Sequence, residues 1–272
     1  MLRQRVLVVL VLLPIGLLVI FAGGWWFAAG IALMLGMAGF EFGRLFRTVG
    51  QRPSLPLLVG FSALFALARH AWGFAGSPEL LAAVCLLGMT WHLVDYERGA
   101  QASATDMVIT WGGILYLGWI GGYFISLRNL PDGALWLLLV LPTVWLADSG
   151  AYFVGRRFGR HKLAPRLSPK KTWEGYLAGV VTGAASGALL AVAWAQFAEN
   201  PAQFSVVNGV VIGTLLAIIT TLGDVGISMI KRQVEVKDSG TLLPGHGGVL
   251  DRIDSWLWAG VLGYYLVLWL AA

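Results

Sequence analysis

Five acidic residues stand inside apolar runs, or at the start of one, where a carboxylate is expensive. Asp224 lies in TTLGDVGISMIKR, with Ser228 four residues on and Lys231 seven on, so one helical face carries all three. Asp251, Asp254 and Ser255 are spaced i, i+3 and i+4, again one face, and Asp148 and Tyr152 repeat the i, i+4 relation. Glu41 is the fifth. On insertion scales an ionisable group at membrane depth costs ~2.5–3.5 kcal/mol, which makes each of them a candidate functional position. Oxygen donors without a His or Cys cluster suit Mg²⁺ or Mn²⁺ better than zinc. The competing explanation is ordinary pairing with nearby bases, for example Asp251 with Arg252 or Lys237.

Two polar stretches adjoin these residues. The first reads KDSGTLLPGHGGVLDRID, and in it Gly245, Gly247 and Gly248 surround His246. Glycine lets backbone N–H groups come close to a phosphate, a signal that is weak alone and stronger between Lys237 and Asp251. His246 fits a proton carrier, a phosphate donor or a loop brace equally well. The second stretch, GRRFGRHKLAPRLSPKKTWEG, has eight basic positions when His161 is counted. Non-specific attraction to anionic head groups, at ~1 kcal/mol per charge, accounts for Arg156 to Arg166. It accounts less well for SPKKTWEG, where Lys170 and Lys171 are expected to begin a helix with Glu174 in its first turn and to hold a polyphosphate. Carboxylates for a divalent ion, bases for phosphates and glycine-rich backbone together describe a site where a nucleotide and a lipid phosphate could meet. Such chemistry needs positioning and charge neutralisation more than a protein nucleophile.

The elements that position these residues follow from composition. The chain has 272 residues, 58% of them apolar, and a mean hydropathy of +0.76. Its charged fraction is 12%, about half the ~25% of an average soluble domain. A soluble domain of this size cannot bury so much apolar surface. Apolar runs predict an all-α polytopic membrane protein with nine helices at about 6–21, 26–43, 55–75, 79–96, 106–126, 135–154, 175–198, 205–230 and 249–270, the first two being tight for a crossing. Met1 to Phe21 imitates a signal peptide but is followed at once by another apolar run, so it is expected to stay as a first helix. With the N-terminus cytoplasmic, 17 of the 19 Lys and Arg fall on the cytoplasmic side and only Arg69 and Arg128 on the other. That orientation places loops 155–174 and 231–248 in the cytoplasm. The net charge of +5 is then a membrane-loop bias, and no nucleic-acid partner is expected. The single cysteine, Cys85, says nothing of redox compartment. The chain is read as one membrane domain, 1–272, with N-terminal helices over 1–130 and a catalytic part over 131–272.

Ser228-Met-Ile-Lys231-Arg232, four residues, Lys237-Asp238-Ser-Gly, then Pro244-Gly-His-Gly247-Gly248-Val-Leu-Asp251-Arg252-Ile-Asp254 resembles the signature of the phosphatidate cytidylyltransferases, or CDP-diacylglycerol synthases. Ala147-Asp148-Ser-Gly-Ala-Tyr-Phe, Gly155-Arg and Ser168-Pro-Lys170-Lys171-Thr-Trp-Glu-Gly resemble a second region of that family. The likeness covers roughly residues 140–256. It implies the reaction of CTP with phosphatidate to give CDP-diacylglycerol and pyrophosphate, with Mg²⁺ and room for a second cation. It implies metal ligands at Asp224 and Asp251, catalytic roles for Lys231, Arg232 and His246, and substrate contacts from Asp148, Ser168, Lys170, Lys171, Ser228, Lys237, Asp238, Gly247, Gly248, Arg252 and Asp254. A homodimer is implied as well, and the compact chain without a long soluble tail suggests a bacterial inner membrane. One position departs from the pattern: many members have a Glu three residues after the helix Asp, and here Ile227 stands there.

Two other readings compete: a CTP-dependent polyprenol or phytol kinase, and a transporter of an anionic solute. Transporters usually place their sites at the bilayer midplane on broken helices, often with an inverted repeat. Here the polar residues gather near one face and no repeat is evident.

Overall fold

The computed structural model describes residues 2–240, 242 and 247–271, with side chains from residue 10 to residue 270 among these. Among the described residues, eight helical segments are long and apolar enough to cross a membrane, and the shorter apolar stretch Leu10–Ala22 precedes them. The chain is an all-α polytopic membrane protein, and the nine helices expected from the apolar runs are all found. Contacts group it into two compact units, Met1–Ser126 with Gln233–Ile253, and Leu127–Arg232 with Asp254–Ala272.

The first unit contains α1 (Leu2–Ala22), α2 (Gly24–Arg47), α3 (Leu55–Trp72), α4 (Ser77–Glu97) and α5 (Ser103–Ile114). α5 runs on through a single π turn, Leu115–Trp119, before α6 (Tyr123–Arg128). The break between α1 and α2 is set by Gly23 and Gly24, whose φ angles of 62° and 52° lie where other residues are strained. α3 begins where the Ser54 hydroxyl accepts the Leu57 N–H, with Pro56 in its first turn, and stops at Gly73. α2 and α3 lie close because Gly36, Gly39 and Gly43 present bare backbone to Val59, Leu58 and Leu55. With no hydrophobic drive between helices in lipid, close backbone approach of this kind supplies the packing energy.

The second unit contains α7 (Gly133–Phe158), a hairpin of β1 (Lys162–Ala164) and β2 (Ser168–Thr172), α8 (Trp173–Ala195), α9 (Val206–Gln233) and most of α10 (Leu250–Ala271). Its framework is a glycine series on α8. Gly175 and Gly179 lie against Ala151 and Ala147 of α7, while Gly183 and Gly187 lie against Gly213 and Gly209 of α9. A four-residue spacing advances about 40° per step on a helix of 3.6 residues per turn. The bare edge therefore rotates from one neighbour to the next along α8. Further on, Gly223 of α9 meets the Asp254 carbonyl and the Trp258 ring of α10.

The hairpin corrects the expectation for residues 168–172. Lys170 and Lys171 do not begin a helix; they lie in β2. Pro169 disfavours the helical region for Ser168, and Thr172 is the cap, its hydroxyl accepting the Gly175 N–H at 3.2 Å. Glu174 does fall in the first turn of α8.

Candidate active site

In the second unit, Asp224 projects from α9 between two partners. Its Oδ2 lies 2.7 Å from Lys171 Nζ, and its Oδ1 accepts the Ser228 hydroxyl at 3.3 Å. The four-residue spacing of Asp224 and Ser228 is what brings the latter into reach. Lys171 comes from β2, 53 positions earlier in the chain, so the hairpin delivers this cation. Asp148 of α7 lies within electrostatic reach of both Lys171 and Asp224. Asp254 of α10 is 8% exposed, accepts the Ser255 N–H at 2.6 Å, and is electrostatically coupled to Asp224, Lys231 and Asp148. Five of the expected site residues (Asp148, Lys171, Asp224, Lys231 and Asp254) thus form one charge cluster on three helices and a strand. Ile227, the position that departs from the family pattern, is buried at 1% exposure and faces packing in this chain.

The hairpin is held from both sides. The Arg232 Nε donates to the Leu167 carbonyl at 3.4 Å, tying the end of α9 to the turn before Ser168. The Glu174 carboxylate accepts the N–H groups of Arg160 and His161 at 3.1 and 3.2 Å, and its Oε1 lies 2.6 Å from His161 Nδ1. Ser168 pairs with Ala164 in the hairpin, and Lys170 is exposed beside it.

In the first unit, Ser239 and Gly248, from the two described ends of the glycine-rich loop, meet on Asp251. One carboxylate oxygen, Oδ2, accepts the Ser239 N–H at 2.8 Å, the Ser239 hydroxyl at 2.9 Å and the Gly248 N–H at 3.1 Å. Gly247 has a φ of 83° and passes close to Asp251 and Asp238, a conformation and clearance that favour glycine. Lys237, Asp238 and Arg252 are exposed. His246, with Gly245, lies outside the described residues. Ser239 was not among the candidates from sequence, although its place between Asp238 and Gly240 put it inside the motif. Glu41 was singled out as a costly carboxylate, but nothing in its sequence neighbourhood connected it to this loop: its Oε2 accepts the Leu250 N–H at 2.9 Å and the Ser239 hydroxyl at 3.3 Å.

A divalent ion fits the donor chemistry of these clusters. Among the described residues no three acidic, His or Cys side chains converge into a metal cage. Mg²⁺ ordinarily uses one or two carboxylates and takes its other ligands from water and substrate phosphates. The ammonium group of Lys171 on Asp224 Oδ2 shows that this oxygen is directed at a cation.

The match to known proteins extends well beyond the motif. The family model described as the cytidylyltransferase family covers residues 3–270. The chain belongs to the cytidylyltransferase family. Relatives named phosphatidate cytidylyltransferase include one from Pseudomonas aeruginosa, 35% identical over 100% of this chain and 98% of its own. Another from Bacillus subtilis is 33% identical over 97% of both chains. A third from Synechocystis is 30% identical over 97% of this chain and 96% of its own. Family membership therefore takes in the N-terminal helices, which the motif alone left outside.

Proposed function

We propose that this chain is a nucleotidyltransferase that joins CTP and phosphatidate into CDP-diacylglycerol and releases pyrophosphate. The observation that carries this reading is its whole-length likeness to proteins of that name. The charge cluster around Asp224 supports it with suitable chemistry. A phosphatidate oxygen attacks the α-phosphorus of CTP, one P–O bond forms, the bond to the bridging oxygen of the β-phosphate breaks, and pyrophosphate departs. The nucleophile is already an anion near neutral pH, so no general base is obligatory. Bringing two anions together is the main obstacle, and cations from this chain lower it.

Asp224 and Asp251 are the proposed Mg²⁺ carboxylates. Mg²⁺ held by these carboxylates, each within its own unit, would supply Lewis-acid polarisation and charge neutralisation at the triphosphate. Lys171 and Lys231 place positive charge among the carboxylates, and Lys170 and Arg232 extend it along the hairpin. Ser228 orients Asp224. The loop carrying Gly247 and Gly248 offers backbone close to Asp251. The resting partner of Asp224 is Lys171, so that lysine must be displaced or shared when the ion binds.

The site is proposed to face the cytoplasm of a bacterial inner membrane, where CTP is available, with the N-terminus on the same side. A homodimer is proposed on the family likeness. The reading is tested with purified protein, labelled CTP, phosphatidate and Mg²⁺, identifying the lipid product. Formation of a labelled CDP-lipid and pyrophosphate in equal amounts is expected. Transfer of the γ-phosphate to a lipid alcohol, with release of CDP, would instead identify a kinase.

A further inference from the structure

We propose that Glu41 is a positioning residue for the glycine-rich loop, holding Asp251 in place through Ser239 and the start of α10. Glu41 lies on α2, is 2% exposed, and sits about 200 positions from every group it holds. A carboxylate so buried in an apolar helix needs strong partners, and its partners among the described residues come from the glycine-rich loop and the helix start that follows it. Its Oε2 accepts the Leu250 N–H at 2.9 Å, one of the N–H groups that a helix start leaves unpaired, so Glu41 caps α10 from another helix. The same oxygen contacts the Ser239 hydroxyl at 3.3 Å, and that hydroxyl also reaches Asp251 Oδ2 at 2.9 Å. Ser239 therefore stands between the two carboxylates, with its own N–H fixed to Asp251.

The loop is shaped around this carboxylate. A side chain at Gly240 would run into Glu41 Oε1, and one at Gly248 would run into Glu41 Oε2 and the Ser239 hydroxyl. Glu41 Oε1 has no hydrogen-bond partner among the described residues. Two glycines of the motif thus serve the fit of Glu41. The acceptor oxygen of Glu41 holds Ser239 and Leu250, and these in turn fix which way Asp251 points.

The proposal rests on the cytidylyltransferase reading for its kinetic arm only. Full-length wild type, Glu41→Ala, Glu41→Gln and Ser239→Ala are compared in detergent. Amide hydrogen exchange over 238–250 is followed without substrate, and kcat and the KM for CTP are measured at saturating Mg²⁺. Glu41→Ala should speed exchange at Leu250 at least about tenfold and lower kcat about ten- to a hundredfold, with the KM for CTP changed less than about threefold. Glu41→Gln keeps a carbonyl oxygen of the same reach and should hold both within about threefold of wild type. Ser239→Ala should lower kcat at least about fivefold while Leu250 stays protected, and it carries the test if Glu41→Ala does not insert. Unchanged exchange and kcat in Glu41→Ala would overturn the proposal, as would unchanged kcat in Ser239→Ala. Glu41→Gln as inactive as Glu41→Ala with wild-type exchange would overturn it too, because the charge would then act on the reaction itself. If wild type made no CDP-lipid, the reaction reading would fall, and the exchange comparison would still decide whether Glu41 anchors the loop.

Discussion

At the scale of residues, the ion pair between Lys171 and Asp224 decides how the two lysines of the hairpin must differ. The side-chain nitrogen of Lys171 lies 2.7 Å from the oxygen proposed to bind Mg²⁺, whereas Lys170 is exposed in the same strand. The bare sequence suggests that both lysines touch phosphate and that neither affects the metal; the pair removes that equivalence. Lys171→Gln should lower the Mg²⁺ concentration for half activity, because the competing ammonium is gone, while reducing kcat/KM about ten- to a hundredfold through a lost phosphate contact. Lys170→Gln should leave the Mg²⁺ requirement unchanged. Separate titrations of Mg²⁺ and CTP in neutral detergent check both, and a common Mg²⁺ response in the two variants would dissolve the distinction. Asp224→Ala and Asp251→Ala should each lower turnover about a thousandfold or more, since metal neutralisation is worth several kcal/mol, with the protein still inserted and folded. Ser228 was legible as a partner of Asp224 because both lie on one helix at a fixed spacing. Lys171 was not, because its approach depends on a hairpin and a helix docking that no local period encodes.

At the scale of elements, α8 shows what holds the second unit together. Its bare edge, Gly175, Gly179, Gly183 and Gly187, meets α7 and then α9 at backbone distance. A Cβ at Gly183 would approach the Gly213 carbonyl and Ala217 Cβ at 2.7 Å each. Gly183→Val should therefore destabilise by about 1–3 kcal/mol through overpacking, or block folding outright. Gly60→Ala on α3, where nothing lies within 4 Å of the new methyl, should be neutral or gain up to about 1 kcal/mol of helix propensity. Thermal unfolding of the two variants in the same detergent compares them, and equal stability would refute the close-packing account of α8. The apolar runs made the helices legible to within a few residues, and the four-residue glycine spacing was there to be read as well. The β1–β2 hairpin was not legible. Its strands are three and five residues long, and a basic stretch between helices looks the same whether it is a loop or a hairpin. What fixes it is tertiary: Glu174 reaching back to Arg160 and His161, and Arg232 reaching the Leu167 carbonyl.

At the scale of the whole molecule, the charge distribution makes a claim about orientation that helix packing does not make. Loops 155–174 and 231–248 are separated by α8 and α9, so two crossings put both on one side of the bilayer. With those loops and the N-terminus cytoplasmic, 17 of the 19 Lys and Arg lie on that side; the reverse arrangement inverts the ratio. The short α8–α9 connection carries Glu199 and no base, as the opposite face should. The common side of the two loops does not depend on whether α1 crosses. The test needs a background free of the native thiol, because Cys85 is exposed on α4. In Cys85→Ser protein, single cysteines at Pro165, Gln233 and Glu199 report the hairpin, the end of α9 and the α8–α9 connection, and all three positions are exposed. An impermeant thiol reagent added to intact cells should label the Glu199→Cys protein and spare the other two. After the membrane is opened, the Pro165→Cys and Gln233→Cys proteins should label as well. Labelling of Pro165→Cys or Gln233→Cys from outside would turn the active site away from the CTP pool and defeat the orientation, whatever the helix count.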